Sequence, residues 1–324
     1  MKIAIDAVSH KGLVRDGNED ALSIGGVIIR DDSLSLTVDV PDDGTFYALV
    51  SDGMGGHEGG EQASLYTLEQ LRTHLAGPAE AFAAAPGFPA TDAPCGPCDA
   101  GESCASSGPC DADGPCEPRD DDDFEDALRE KVRSISRELC EEAARQGQAL
   151  PMGCTLTGVI VRHGRIWLVN AGDSRTYRFR DGILRQLTVD DNERGLTGDP
   201  TASKLLLNCI GAGCEGRLAL EDITAKLVEG DTLLICSDGL CDMACDDSIE
   251  AELSAAGAGA QGAAEACGLS GAGLSAPAAA GAAGPVGASA DAPSPAPCRA
   301  ADLLRLACQG GGADNVSIIL ARIL

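Results

Sequence analysis

Four acidic turns mark the ends of hydrophobic segments in this chain. They are Ala48-Leu49-Val50-Ser51-Asp52-Gly53, Val169-Asn170-Ala171-Gly172-Asp173-Ser174, Leu233-Leu234-Ile235-Cys236-Ser237-Asp238-Gly239 and Gly312-Ala313-Asp314-Asn315. A further acidic pair, Glu19-Asp20, lies near the start. A strand that stops at Asp-Gly holds a carboxylate at a sheet edge, and glycine lets the backbone turn and bring a carbonyl close. Carboxylates gathered this way repel one another. Divalent cations relieve that repulsion, and hard oxygen ligands suit Mg²⁺ or Mn²⁺.

The chain has 324 residues, enough for one large domain or two small ones. Hydrophobic residues make up 44% but aromatic residues only 3%, so the core must be aliphatic. The formal net charge of −27 argues against nucleic acid and anionic membranes as partners. The start, Met1-Lys2-Ile3-Ala4-Ile5-Asp6, reads as a short strand and lacks the apolar stretch of a signal peptide. No apolar run is long enough to span a bilayer. A cytoplasmic location is expected, with the 15 cysteines reduced.

Two tracts look foreign to a packed domain. One, at about 77–123, is rich in Pro, Gly, Ala, Asp and Cys, with Cys98, Cys104, Cys110 and Cys116 spaced six apart. The other, at about 254–297, is almost entirely Ala, Gly, Ser and Pro. Neither carries apolar periodicity, so both read as surface insertions in a single domain spanning 1–324. Cys95-x-x-Cys98 with the further thiols offers a zinc site as the alternative, although regular spacing alone does not build a tetrahedron.

The remainder forms one α/β pattern. Strands are predicted at 2–9, 21–29, 45–51, 154–162, 165–170, 176–180, 184–187, 218–224, 232–237 and 316–323. The short links His163-Gly164 and Asp181-Gly182 are hairpin signals, so much of the sheet should be antiparallel. Helices are predicted at 58–75, 124–145 and 300–308. In the second, Phe124, Leu128, Val132, Ile135 and Leu139 form one buried stripe, and acidic residues 120–123 precede its positive end. The expected fold is a layered α/β sandwich.

At this point the residues resemble a family. Gly12-Leu13-Val14-Arg15-Asp16-Gly17-Asn18-Glu19-Asp20-Ala21 is similar to the opening motif of the metal-dependent protein serine/threonine phosphatases, the PPM or type 2C group. Ser51-Asp52-Gly53-Met54-Gly55-Gly56-His57 resembles the second motif in its bacterial form. Gly153-Cys154-Thr155, Asn170 to Arg175, Ser237 to Asp242 and Asp314-Asn315-Val316-Ser317 follow in the family's order. Each motif alone is weak; the ordered set, each member in a strand-end context, is specific. The resemblance implies two mostly antiparallel β-sheets flanked by helices.

Residue by residue, Asp52 can bridge two cations, and the Gly53 carbonyl can join the first. The resemblance implies the same, with Asp238 and Asp314 completing the second ion and Glu19 and Asp20 holding metal-bound waters. It also implies a third, weaker ion at Asp173, Asp238 and Asp242; a plain turn-forming role is the alternative for Asp173. Arg15 is the candidate phosphate clamp, since a guanidinium fork matches two phosphate oxygens. Its alternative is a surface arginine paired with an acidic neighbour. A water bridging two Mn²⁺ or Mg²⁺ ions loses a proton near neutral pH and attacks phosphorus in line. His57 and a metal-bound water both stand as candidates for the acid that protonates the leaving alkoxide.

The remaining histidines, His10, His74 and His163, read as turn or helix-end residues. No H-E-x-x-H, G-x-S-x-G or G-x-x-x-x-G-K-[ST] pattern occurs, so zinc-protease, serine-hydrolase and P-loop readings lack support. Between Leu187 and Leu218 the family carries a flap over the substrate. Here that segment looks short and matches loosely, so substrate preference does not carry over. The leading expectation is a monomeric phosphoserine/phosphothreonine phosphatase acting on phosphorylated proteins and opposing Ser/Thr kinases. Two alternatives are a catalytically silent phosphoprotein-binding module and a metallohydrolase of small phosphate esters.

Overall fold

A computed structural model of the chain describes residues 1–55, 58–75, 121–147, 151–199, 201–255 and 298–324. Strands β1 (Lys2–His10), β2 (Ala21–Ile24), β3 (Val27–Ile29), β4 (Ser33–Asp39), β5 (Thr45–Ser51) and β6 (Gly53–Met54) precede helices α1 (Glu58–Leu75) and α2 (Asp121–Gln146). Then come β7 (Gly153–Cys154), β8 (Leu156–Arg162), β9 (Arg165–Ala171), β10 (Arg175–Arg180), β11 (Ile183–Gln186), α3 (Glu193–Thr197), β12 (Ile210–Gly211) and β13 (Ala219–Asp222). The chain closes with β14 (Thr232–Cys236), α4 (Asp238–Cys241), α5 (Asp246–Ala255), α6 (Ala300–Gln309) and β15 (Val316–Ile323).

Two six-stranded sheets result, ordered β11-β10-β14-β15-β1-β4 and β13-β9-β8-β5-β2-β3, with a small third sheet β12-β7-β6. Every pairing is antiparallel. The hairpins at His163-Gly164 and Asp181-Gly182 form as expected, with both residues of each turn at positive φ between 49° and 78°. Those angles match the right-handed twist of the flanking strands.

The large sheets face each other across an aliphatic layer. Ile3, Ile5, Ile235 and Ile319 from one meet Leu22, Phe46, Val50, Val159 and Leu168 from the other. Helices cover both outer faces. Leu68 and Leu71 of α1, with Leu128, Val132, Ile135 and Leu139 of α2, pack on Tyr47, Leu49, Ile160 and Trp167. Leu240, Ile249, Leu303 and Leu304 of α4–α6 pack on Val8, Leu234, Ile318 and Leu320. Central strands are therefore buried on both faces, which is why β5 and β15 read as continuous apolar runs rather than alternating ones. The expected helix–sheet–sheet–helix layering is present.

Several boundaries differ from the sequence reading. The segment 21–29 is two strands, because Gly25 and Gly26 turn at positive φ. Strand β4 was not predicted, yet its Leu34, Leu36 and Val38 pack on the inter-sheet core while the residues between them face outward. Helix α2 begins at Asp121, so residues 121–123 of the acidic run expected to precede it form its first turn instead. The two expected insertions lie outside the described residues except at their ends, in α2 and α5. The cysteines of the first tract and His57 also lie outside them. Among the described residues no helix is long and apolar enough to cross a membrane.

Candidate active site

The strand register gathers the acidic turns at one end of the sandwich. Ala21 pairs Ser51, so the start of β2 lies beside the end of β5. Cys236 pairs Ile318 and Ser9 pairs Ser317, so the end of β14, the start of β15 and the end of β1 meet at the same edge. Asp20 directly precedes β2 and Asp52 directly follows β5, while Asp238, Asp314 and Asp173 lie two residues from the ends of β14, β15 and β9.

Small polar residues hold each carboxylate's backbone in place. The Asp52 amide donates to the Thr155 hydroxyl (3.1 Å), and the Thr155 amide donates to the Asp52 carbonyl (2.8 Å). Gly53 is required by close approach: an added Cβ would lie 2.2 Å from the Gly60 carbonyl oxygen and 2.5 Å from that of Glu19. Asn315 clamps the Arg15 loop. Its Oδ1 accepts from the Glu19 amide (2.8 Å), and its Nδ2 donates to the carbonyls of Lys11 and Gly17 (both 2.9 Å). Arg30 donates to the Asp20 carbonyl (2.9 Å) and to Glu61 and Ser64 of α1, fixing the Glu19-Asp20 backbone against that helix.

Behind Asp20 runs a buried polar chain that sequence reasoning missed. The Ser237 hydroxyl donates to Asp20 Oδ2 (2.7 Å) and accepts from the Ser317 amide (3.0 Å). The Ser317 hydroxyl donates to Ser9 (2.9 Å), which also accepts from Asn18 Nδ2 (3.0 Å). The other Asp20 oxygen, Oδ1, is buried with no hydrogen-bond partner. A buried carboxylate oxygen without a partner is costly.

The carboxyls of this edge crowd one another electrostatically. Burial, followed by the charges of Asp238 and Asp314, pushes Asp20 up to about 7 against the pull of the Ser237 hydroxyl. Burial, then Asp238 and Asp190, pushes Asp173 up to about 7. Burial, then Asp20 and Asp238, holds Asp52 well above the ordinary carboxylate range, and burial raises Asp238 as well. The Asp52 and Asp238 carboxyls lie within direct electrostatic reach of each other, so charging both costs more than charging either alone.

Among the described residues no three acidic, cysteine or histidine side chains close on one point as a ready-made cage. Magnesium-type sites do not need one. Such ions keep several waters and are held by one or two carboxylates each. An all-oxygen donor set, an orphaned Asp20 oxygen and mutually raised carboxyls therefore fit hard divalent cations better than any softer metal.

Arg15 sits on the exposed loop after β1, its side chain 53% accessible, and its Nη2 pairs with Asp314 Oδ2 at 2.8 Å. That hydrogen bond, followed by the charge of Asp314, raises the guanidinium pKa; Glu19 and Asp52 add to the effect. Glu19 thus lies within electrostatic reach, and its Oε2 packs against Gly60. Asp242 is at the outer side of the group and pairs with Lys204. The structure brings all the sequence-predicted positions into one neighbourhood, with Asp242 at its rim.

The sequence profile described as Protein phosphatase 2C matches residues 25–256. The serine/threonine protein phosphatase PstP of Mycobacterium tuberculosis is 26% identical over 335 aligned positions, covering 98% of this chain and 44% of that protein. The chain thus spans less than half the length of that relative. The serine/threonine phosphatase stp of Listeria monocytogenes is 25% identical over 253 positions, covering 75% of this chain and 79% of that protein. Among solved structures, a serine/threonine phosphatase of S. agalactiae superposes with a TM-score of 0.61 at 18% identity, covering 99% of this chain and 100% of that one. The PstP catalytic domain in complex with two manganese ions superposes with a TM-score of 0.56 at 23% identity, covering 99% and 98%. With the profile match spanning most of the sandwich and the acidic turns converging at its edge, the chain belongs to the protein phosphatase 2C family.

Proposed function

We propose that this chain is a metal-dependent phosphoserine/phosphothreonine protein phosphatase. The observation that carries the reading is the mutual electrostatic contact of Asp20, Asp52, Asp173 and Asp238, from four separate stretches of chain, with Asp314 and an exposed arginine beside them. Asp52 and the Gly53 carbonyl would hold one cation, and Asp52, Asp238 and Asp314 would hold the second. Glu19 and Asp20 accept hydrogen bonds from water around them. When bound, two Mn²⁺ or Mg²⁺ ions supply Lewis-acid charge and acidify water to near neutral pH.

The chain's own residues do the rest. Asp314 currently pairs with Arg15. Freed from Asp314, the Arg15 fork would grip two phosphoryl oxygens and stabilise charge as it develops there. The substrates are phosphorylated proteins, and the role is to oppose Ser/Thr kinases in the cytoplasm. The location rests on the 15 cysteines, an odd number that a reducing compartment would keep as thiols.

The test is phosphate release from a phosphothreonine peptide. Turnover should need Mn²⁺ or Mg²⁺, vanish in EDTA, and fall by ~10² or more in Asp238→Asn, which removes one charge from the metal site. Turnover that persists in EDTA rules the reading out. Binding without release favours a silent module, and turnover of small esters alone favours a small-ester hydrolase.

A further inference from the structure

Asp242 faces the segment between β11 and β13, and the Lys204 ammonium of that segment forms an ion pair with it. Lys204 also lies close enough to Asp238 for its charge to oppose the upward push of burial on that carboxyl. A cation carried by the chain therefore stands against two acidic side chains of the site.

The segment touches the site at two points. At its base, Asp191 Oδ2 accepts from the Gly172 amide (2.9 Å) and from Asn208 Nδ2 (2.7 Å), beside Asp173. The Asp191 backbone adds a bond from the Leu207 amide (2.8 Å), and Asn192 pairs with Leu206 across an isolated bridge. The return stretch bulges at Lys204-Leu205, between the Asn192–Leu206 bridge and the Arg194 amide's bond to the Ser203 carbonyl (3.2 Å), and at the tip of that bulge Lys204 reaches Asp242. Apolar packing does not hold that tip, since Leu205 and Leu207 are 73% and 52% exposed. An exposed ion pair is a weak latch, and it is open to competition from a dissolved cation.

We propose that Lys204 is a built-in counter-ion: its ammonium occupies the place of an outer divalent cation at Asp242, and a cation binding there must displace it and free the bulge tip at Lys204-Leu205. The inference rests on the metal-site reading of the acidic edge. Its physical content is competition. A tethered single charge and a free double charge seek the same carboxylate, so the outer ion binds more weakly than it would without the lysine. By linkage, an ion that favours the freed tip is itself bound more tightly once the tip is free.

The experiment uses the full chain, stripped with EDTA and titrated with Mn²⁺ alone, as wild type and as Lys204→Gln. Electron paramagnetic resonance of free Mn²⁺ counts bound ions, and hydrogen exchange follows the amides of 190–207. The wild type should take up two ions tightly and a third weakly. Lys204→Gln should bind the third about two- to fivefold more tightly, the scale of an exposed ion pair, with the first unchanged and the second, held in part by Asp238, changed less than the third. In the metal-free state the variant's tip should exchange faster than the wild type's, and saturating Mn²⁺ should speed exchange only in the wild type. Equal outer-ion affinity in both proteins, or equal tip exchange, overturns the proposal while leaving the two-ion site intact. Failure of the wild type to bind any Mn²⁺ overturns the metal-site reading, and the Lys204 proposal with it.

Discussion

Arg15 stands between two acceptors, a carboxylate in its own chain and a phosphoryl group. Its pair with Asp314 is largely exposed and therefore contributes little to stability. A phosphoryl group offers two oxygens to the planar fork, which a lysine cannot match. Arg15→Lys should keep the fold, with a melting temperature within a few degrees of wild type. It should raise KM for a phosphothreonine peptide and lower kcat/KM by about tenfold or more, the worth of a lost charge-assisted bond. Steady-state kinetics decide it; unchanged KM would assign Arg15 to Asp314 alone. Arg15 and the aspartates were legible in the sequence because charged residues at strand ends are conspicuous and ordered. Ser9, Asn18, Ser237 and Ser317 were not. They are small neutral residues whose bonds join positions as far as 308 residues apart, and no local pattern encodes such contacts. Asn315 carried the one available signal, a polar side chain directly after a candidate ligand at a turn.

Helix α4 shows how an element fixes a ligand. Asp238 opens it, and the next residue, Gly239, packs against the loop that carries Asp314. A Cβ at Gly239 would lie 1.9 Å from the Asn315 carbonyl oxygen. Alanine is the better helix former by about 1 kcal/mol, so propensity alone favours Gly239→Ala. The overlap is with backbone, however, and the whole helix must shift to relieve it. The expected result is a loss of about 1–3 kcal/mol of stability, together with weaker Mn²⁺ binding because Asp238 moves. Thermal melts with and without Mn²⁺ test both; a variant as stable as wild type, with the same metal-dependent gain, would show that α4 is free to slide. Elements of this length escape sequence reading. Helices α3 and α4 have five and four residues, too few to show a period. Helix α5 escaped differently, since only Ile249 and Leu253 are buried on it and it runs straight into the Ala/Gly tract. The long strands and the stripe of α2 were legible because each repeats its pattern over many residues.

Across the molecule, the same charges that make the site also set its stability. In the metal-free chain Asp20 and Asp173 titrate at about 7, against an ordinary value of 3.8. Between those values the folded state holds more protons than the unfolded state, so stability must fall as pH rises from about 4 to about 8. The cost is of the order of a few kcal/mol, enough to shift the melting temperature by several degrees. A cation bound only by the folded state takes the place of those protons and should restore stability most at the higher pH. In EDTA the protein should therefore melt lower at pH ~8 than at pH ~5.5, and saturating Mn²⁺ should shrink or reverse the difference. The net charge of −27 pushes in the same direction through surface repulsion, but salt screens exposed charges far more than buried ones. Asp20→Asn separates the two sources. At about 0.5 M salt the variant's metal-free slope should be shallower than that of the wild type, because one buried proton-binding group is gone while the surface is unchanged. A metal-free melting temperature that stays flat or rises from acid to alkaline pH would mean that the aspartates are not crowded at all, and the case for bound cations would lose its physical basis.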